Sequence, residues 1–352
     1  MSRLLDFEFG GATYAAAGVD IEAGDSAVEK IKSVVASTNR PGVMGSIGDF
    51  GGLFHLGALG ITNPVLVSSA DGVGTKLHVA QVAQRFEGVG HDLVAMLVDD
   101  LVCVGAEPLF LLDIITVGKL NPDRVAIIVS SIAEGCRQAQ TALIGGETAE
   151  HGGVMGVDDI DVAGFAVGVL EEGTQLGAHR VAAGDALVGF HSPGIRSNGY
   201  TLARSVLLDG RPLDSPAWPG AVTSLADELL RPSVIYSPAV VAVRKALGDA
   251  LHGVAHITGG GIIGNVPRML PSHLEAVIDL TAFETPEIFF EIQRRGKVTS
   301  NEMLRVFNCG LGMVLSVAPG HVDSVIEIAH EAGIVGSEIG TVRSGQGQVV
   351  LT

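Results

Sequence analysis

The segment HDLVAMLVDDLVCVGA, residues 91–106, constrains this chain more than any other. Apolar residues fall on almost every side of a helical period, so the segment reads as a nearly all-apolar helix. Gly105 marks its stop. Inside the run stand two adjacent carboxylates, Asp99 and Asp100. Burying an ionised carboxylate alone is expensive, so a metal, a cation or a set of N–H donors must meet at least one of them. Neighbouring helical positions point about 100° apart, so the two cannot share one target fully. A water-facing edge, or an arginine partner for one Asp, would meet the same requirement.

The flanking segments alternate between strand and helix patterns. Asp25 is the expected N-cap of a first helix with Val28, Ile31, Val34 and Val35 on one face. A glycine-rich loop follows at 44–52. Residues 64–70 and 108–116 read as strands. Asn121-Pro122 opens a helix that carries to about Gln140. TALIGG is a strand ending at Glu147, and 161–170 another. A polar stretch, EEGTQLGAHRVAAGD, begins at 171, so the expected domains are 1–170 and 171–352. The second half reads as helices after Asn198 and over 237–247, 286–295 and 320–332, with a short one from Ile262. Strands fall at ALVGFHS, GVAHIT, LEAVIDL and CGLGMVLSV. This order predicts an α/β (α+β) chain with helix-covered mixed sheets in both halves.

Composition narrows the function. Forty-eight glycines and 5% aromatics suit tight turns and phosphate-facing loops rather than a platform for stacking bases. A net charge of −17 argues against a nucleic-acid partner. An anionic substrate would then need local cations, a metal or backbone N–H groups. The cysteines, Cys103, Cys136 and Cys309, form no CxxC and read as packed residues in a reducing compartment. The N-terminal residues lack the basic and apolar pattern of a signal peptide, and no run of about 18 apolar residues occurs, so the expected location is cytoplasmic, away from membranes.

Several glycine-rich blocks carry candidate chemistry. In Asp71-Gly72-Val73-Gly74-Thr75-Lys76 a strand delivers a carboxylate, two glycines, a hydroxyl and a cation to one turn. That set suits a magnesium-bound polyphosphate, with oxygen ligands for the metal and donors for the phosphates. A hairpin turn with a solvated lysine fits the spacing equally. Glu147, behind Gly145-Gly146, is a metal or nucleotide contact, or an exposed turn residue. Arg196, Ser197 and Asn198 precede a helix and suit an anion, although Ser197 or Asn198 could equally be an ordinary cap. His256-Ile257-Thr258-Gly259-Gly260-Gly261 joins a strand to a helix through glycines that let a phosphate approach, while His256 reads equally as a core histidine. No GxSxG, HExxH or Walker A pattern occurs.

Taken in order, DGVGTK, HDLVAMLVDDLVCVGAEPLF, ALIGGETAE, SNGYTLAR, LLRPSVIY, HITGGGIIGNVPRMLP and FNCGLGM resemble the aminoimidazole ribonucleotide synthetases, the PurM family, over almost the whole chain. The resemblance implies a two-domain PurM-like fold whose N-terminal domain binds ATP and pairs through its sheet in a homodimer. It implies ring closure of formylglycinamidine ribonucleotide to aminoimidazole ribonucleotide, with ATP giving ADP and phosphate. It implies ATP with Mg2+ as cofactors and K+ as a further candidate. Carried over, Asp71, Asp100 and Glu147 are the metal carboxylates. Gly72, Gly74, Thr75, Lys76 and Asp99 join Asp71 and Glu147 around the nucleotide. Lys76, Asp100 and His256 are the catalytic candidates. Arg196, Ser197, Asn198, Thr258, Gly259, Gly260 and Gly261 face the substrate, its ribose phosphate included.

Departures from the family pattern matter. YAAAGVD puts Ala15 and Ala16 where many members carry Lys and Asp, so no role of that lysine transfers. Asp99 stands where Asn is common, and Arg196 where some members have His. The rival readings are another phosphoryl-transfer enzyme of the superfamily, such as a thiamine-monophosphate kinase or selenophosphate synthetase, and a nucleotide-binding regulator without turnover.

Overall fold

The computed structural model describes residues 14, 16–48 and 50–352. The N-terminal stretch read for a leader, Ala15 and Asp49 of the glycine-rich loop lie outside these. The first half runs α1 (Ile21–Ala36), β1 (Val43–Met44), β2 (Leu53–Phe54), β3 (Pro64–Gly72), α2 (Lys76–Ala83), α3 (Val89–Cys103), β4 (Glu107–Val117), α4 (Pro122–Gln138), β5 (Ala142–Glu150) and β6 (Ile160–Glu171). The second half runs β7 (Ala186–His191), α5 (Tyr200–Leu207), α6 (Leu225–Leu229), α7 (Ser237–Leu247), β8 (Leu251–His256), α8 (Gly261–Asn265), β9 (Leu274–Ile278), α9 (Glu287–Gly296), α10 (Ser300–Val306), β10 (Leu311–Val317), α11 (Val322–Glu331), β11 (Gly336–Ser344) and β12 (Val349–Leu351).

Each half builds its own mixed sheet. The first has the order β3-β6-β4-β5, antiparallel except for β4 with β5. The second has the order β12-β9-β11-β7-β10-β8, antiparallel except for β12 with β9. No strand is shared, and the chain between 172 and 185 joins them. In the second sheet, alternation sorts side chains to two cores. Val188, Phe190, Met313 and Leu315 pack with α7 and α11, while Leu187, Leu311 and Val314 pack with the segment around Ile257–Leu270.

One face of the first sheet is packed under a helix. α3 lies across β3, β6 and β4 with its apolar residues almost all buried. Gly164 permits this closeness, since a Cβ there would come within 2.8 Å of Leu97 Cδ1. The same apolar core continues into Tyr200, Ala203, Leu207, Leu229 and Phe289 of the second half, so α3 is buried at the junction of the two halves.

The first helix starts one turn earlier than expected. Asp20, not Asp25, is its N-cap and accepts from the Ala23 N–H at 3.0 Å. The segment read as a turn at Lys76 is the first residue of α2. β12, α6 and α10 carry patterns too short for periodicity to single out, while the nine-residue β11 buries only two apolar side chains, Ile339 and Val342.

Candidate functional site

Two carboxylates on α3 tie the halves together. Asp92 and Asp99 are two turns apart, hence on one side of the helix. Asp92 accepts from Ser233 N at 2.8 Å and Ser233 Oγ at 2.6 Å. Asp99 Oδ1 accepts from Tyr236 N at 2.9 Å and Ser237 N at 2.8 Å, which satisfies the start of α7. Each is fully buried and each has a cation. Lys76 Nζ lies 2.5 Å from Asp92 and donates to the Arg231 carbonyl at 2.7 Å. Arg196 Nη2 lies 2.9 Å from Asp99 Oδ2, and its guanidinium sits over the Tyr236 ring. Burial pushes the Lys76 ammonium below its ordinary range, with Asp92 acting against that shift. Burial pushes the Asp99 carboxyl up, with Arg196 opposing.

Asp100 points elsewhere. Its side chain is 42% exposed, and Oδ1 lies 2.8 Å from His256 Nδ1. Asp71, at the end of β3, uses Oδ1 to accept from the Gly72 N–H. Burial raises the Asp71 carboxyl, the Gly72 N–H lowers it, and the nearby Asp100 charge raises it further. Asp100 and His256 are thus in contact, and Asp71, from a third segment, lies near enough for both charges to act on it. Oδ2 of each carboxylate has no hydrogen-bond partner among the described residues. Thr75, at the turn into α2, has its hydroxyl 3.3 Å from that of Thr201.

The glycine loop beside His256 is stitched from within. Asn265 Nδ2 donates to the carbonyls of Thr258, Gly259 and Gly261, the shortest at 2.9 Å. Gly261 has φ +60°, and a Cβ there would lie 2.1 Å from the Leu304 carbonyl oxygen, so this glycine answers a packing demand. Asn198 borders the loop, since a Cβ on Gly259 would lie 3.4 Å from Asn198 Oδ1. The loop before Asn198 is held by Asn308, whose Nδ2 donates to the carbonyls of Gly194 and Ile195.

The structure separates residues that the sequence grouped. Asp99 and Arg196 are paired with each other and Lys76 with Asp92 inside the protein, and Arg196 is 3% exposed. Lys76 and Arg196 thus spend their charges on buried carboxylates rather than on Asp71 or Asp100. Ser197 is buried, whereas Asn198, Thr258 and Gly259 border the cleft-side loop. Glu147 is not beside Asp71. Register aligns Asp71 with Gly164, Gly164 with Asp113 and Asp113 with Gly146, while the next row is Gly72, Ala163, Ile114 and Glu147. Glu147 therefore leaves the opposite face of the sheet, three strands from Asp71, or roughly 14 Å at ordinary strand spacing. Among the described residues no group of three or more His, Cys, Asp or Glu could hold a metal ion.

Two acidic residues escaped the sequence reading. Asp92 sits in the same apolar helix as Asp99, and its position seven residues earlier was the available signal. Asp113 is a lone carboxylate in the apolar strand PLFLLDIIT; it is buried, and burial raises it to about 7. It lines a cavity of about 730 Å³ with Glu147, α1 and residues 46–52. The cysteines are free, and burial pushes the Cys309 thiol up to about 12. No described helix is long and apolar enough to cross a membrane.

Comparisons with known proteins agree with this architecture. The phosphoribosylformylglycinamidine cyclo-ligase of Trichlorobacter lovleyi is 49% identical over 97% of this chain and 98% of its own. The enzyme of that name from Geotalea daltonii is 49% identical over 89% and 90%. Among solved structures, thiamine-monophosphate kinase from Stenotrophomonas maltophilia superposes with TM-score 0.65 at 19% identity, covering 91% of this chain and 94% of the other. The hydrogenase maturation protein HypE in complex with ATP gives 0.63 at 16%, covering 99% and 93%. At these identities the two structures speak for the fold alone. Residues 57–170 match the family described as AIR synthase related protein, N-terminal domain, and 182–352 its C-terminal domain. The chain belongs to the AIR synthase related protein family.

Proposed function

We propose that the cleft between the end of β3, Asp100 of α3 and the His256–Gly261 loop is where ATP meets formylglycinamidine ribonucleotide. The chain is a ligase of purine biosynthesis that closes the aminoimidazole ring. ATP phosphorylates the formamide oxygen, the amidine-side nitrogen attacks that carbon, and phosphate leaves as the ring closes. Phosphorylation converts a poor leaving oxygen into a good one.

The observation that carries the site is the proximity of Asp71 and Asp100, each with one oxygen uncommitted among the described residues. Magnesium commonly takes one or two carboxylates and completes its shell with phosphate oxygens and water, so a two-carboxylate set fits it. When bound, the ion would neutralise phosphate charge that Lys76 and Arg196, both spent in buried pairs, do not reach. It would also relieve the repulsion between Asp71 and Asp100. Asn198, Thr258 and Gly259 supply polar and backbone groups for the ribonucleotide on the other side. We place ATP binding and dimerisation in 1–170 and the rest of the cleft in 171–352. The expected location is the cytoplasm.

The second copy belongs on the face of the first sheet opposite α3. Leu66, Ile114 and Phe165 point outward there, 59%, 48% and 39% exposed, from three neighbouring strands. A contiguous apolar face of this kind suits a self-complementary dimer. Glu147 leaves the same face, so its contribution to metal or nucleotide goes to the dimer interface rather than to Asp71 of its own chain.

The test is ADP release that depends on formylglycinamidine ribonucleotide. Asp71→Asn is expected to lower turnover by roughly a hundredfold or more, in the range for losing a charge-stabilising group. Near-normal turnover would displace the proposed ATP site.

A further inference from the structure

Arg196 is a bulky residue at φ +67°, a left-handed conformation that non-glycine residues seldom adopt. It is buried, and only Nη2 of its guanidinium makes side-chain hydrogen bonds. That one nitrogen faces Asp99 Oδ2 at 2.9 Å and His256 Nε2 at 3.0 Å. Guanidinium groups donate and never accept. His256 Nε2 must therefore accept, which leaves the ring proton on Nδ1. Nδ1 lies 2.8 Å from Asp100 Oδ1, so it donates there. The tautomer of His256 follows from donor and acceptor accounting alone. Asp99 Oδ2, at 4.0 Å from Nε2, is too far to take that place directly.

We propose that Arg196 is a positioning residue for ring closure: anchored by Asp99, it fixes His256 as the Nδ1–H tautomer, which holds Asp100 Oδ1 and turns Oδ2 to the cleft. His256, with both ring nitrogens engaged, orients Asp100 rather than shuttling a proton. The strained backbone at Arg196 is what brings its side chain under the His256 ring. The functional part rests on the reading of Asp100 as a nucleotide-site carboxylate; the tautomer does not. Ring-nitrogen hydrogen bonding of this kind is how outer groups orient a ligating set, and its loss commonly costs about ten- to a hundredfold in activity.

The experiment uses the full-length enzyme with 15N-labelled histidine, unliganded, with His256 assigned by comparison with His256→Asn. The wild type is expected to show a protonated Nδ1 and an unprotonated Nε2. Arg196→Met is expected to lose that fixed pattern and to lower kcat by roughly tenfold or more with little change in KM, and Arg196→Lys to restore part of it. Should Arg196→Met not fold, His256→Asn and His256→Gln give the answer: Asn places an amide N–H near the Nδ1 position and keeps more turnover than Gln. A protonated Nε2 in the wild type, an unchanged pattern in Arg196→Met, or Gln outperforming Asn would overturn the proposal. If the tautomer is as stated but Asp100→Asn turns over normally, the site reading fails and the Arg196–His256 assignment stands.

Discussion

The junction between the two halves and the outer face of the first sheet are built on opposite principles. The junction buries charges in pairs, Lys76 with Asp92 and Arg196 with Asp99, and meets the remaining acceptor capacity with backbone N–H groups of 233–237. The outer face carries partly exposed apolar side chains, Leu66, Ile114 and Phe165, the last two lining a cavity with α1 and the glycine-rich loop. Buried ion pairs add little net stability compared with apolar packing, but breaking one leaves a stranded charge. The junction therefore holds its geometry stiffly beside the contact of Asp100 with His256.

The largest effect should come from stranding a junction charge. Lys76→Met should cost about 3–5 kcal/mol by denaturant unfolding, because Asp92 stays buried without its cation. Adding Asp92→Asn should recover part of the loss. A stability change near zero for the single variant would mean that Lys76 is not held inward, and would return it to the phosphates.

On the outer face, Leu66→Asp or Phe165→Asp should shift the protein from dimer to monomer in light scattering while leaving each subunit folded. A wild type that is monomeric at micromolar concentration would sharpen the contrast differently, leaving that face for another partner.

The third effect is read as a pH slope and concerns Asp113, buried behind that face. Its carboxyl keeps its proton in the folded chain up to about 7, while the unfolded chain releases it near the ordinary value of 3.8. The native state binds the extra proton in that window, so stability falls as the pH rises from about 4 to 7, by at most about 1.4 kcal/mol per pH unit. Asp113→Asn should flatten the slope. An unchanged slope would assign the pH dependence to other groups.

Much of this architecture was legible in residue order. The apolar period of 91–106 predicted a buried helix, and Asn121-Pro122 marked the start of α4. The Asp99-Asp100 pair announced that something had to meet it. What met it was not legible: Asp99 finds Arg196 and the 236–237 backbone more than ninety residues away, and only tertiary contact decides whether a lysine such as Lys76 turns in or out. Glu147 shows a second limit. Strand side chains alternate with period two, so its face depends on pairing register, and a bulge between β4 and β5 near Leu111 shifts that register. Its place behind two glycines could not distinguish the faces.

Binding of a non-hydrolysable ATP analogue, titrated calorimetrically with and without magnesium, tests the central claim most directly. Wild type should bind far more tightly with the ion. Asp100→Asn should keep the wild-type melting temperature and lose most of the magnesium-dependent gain, by roughly 30-fold or more, since one of two ligating carboxylates is gone. Equal magnesium-dependent affinity in the two proteins would contradict the account and place the triphosphate elsewhere.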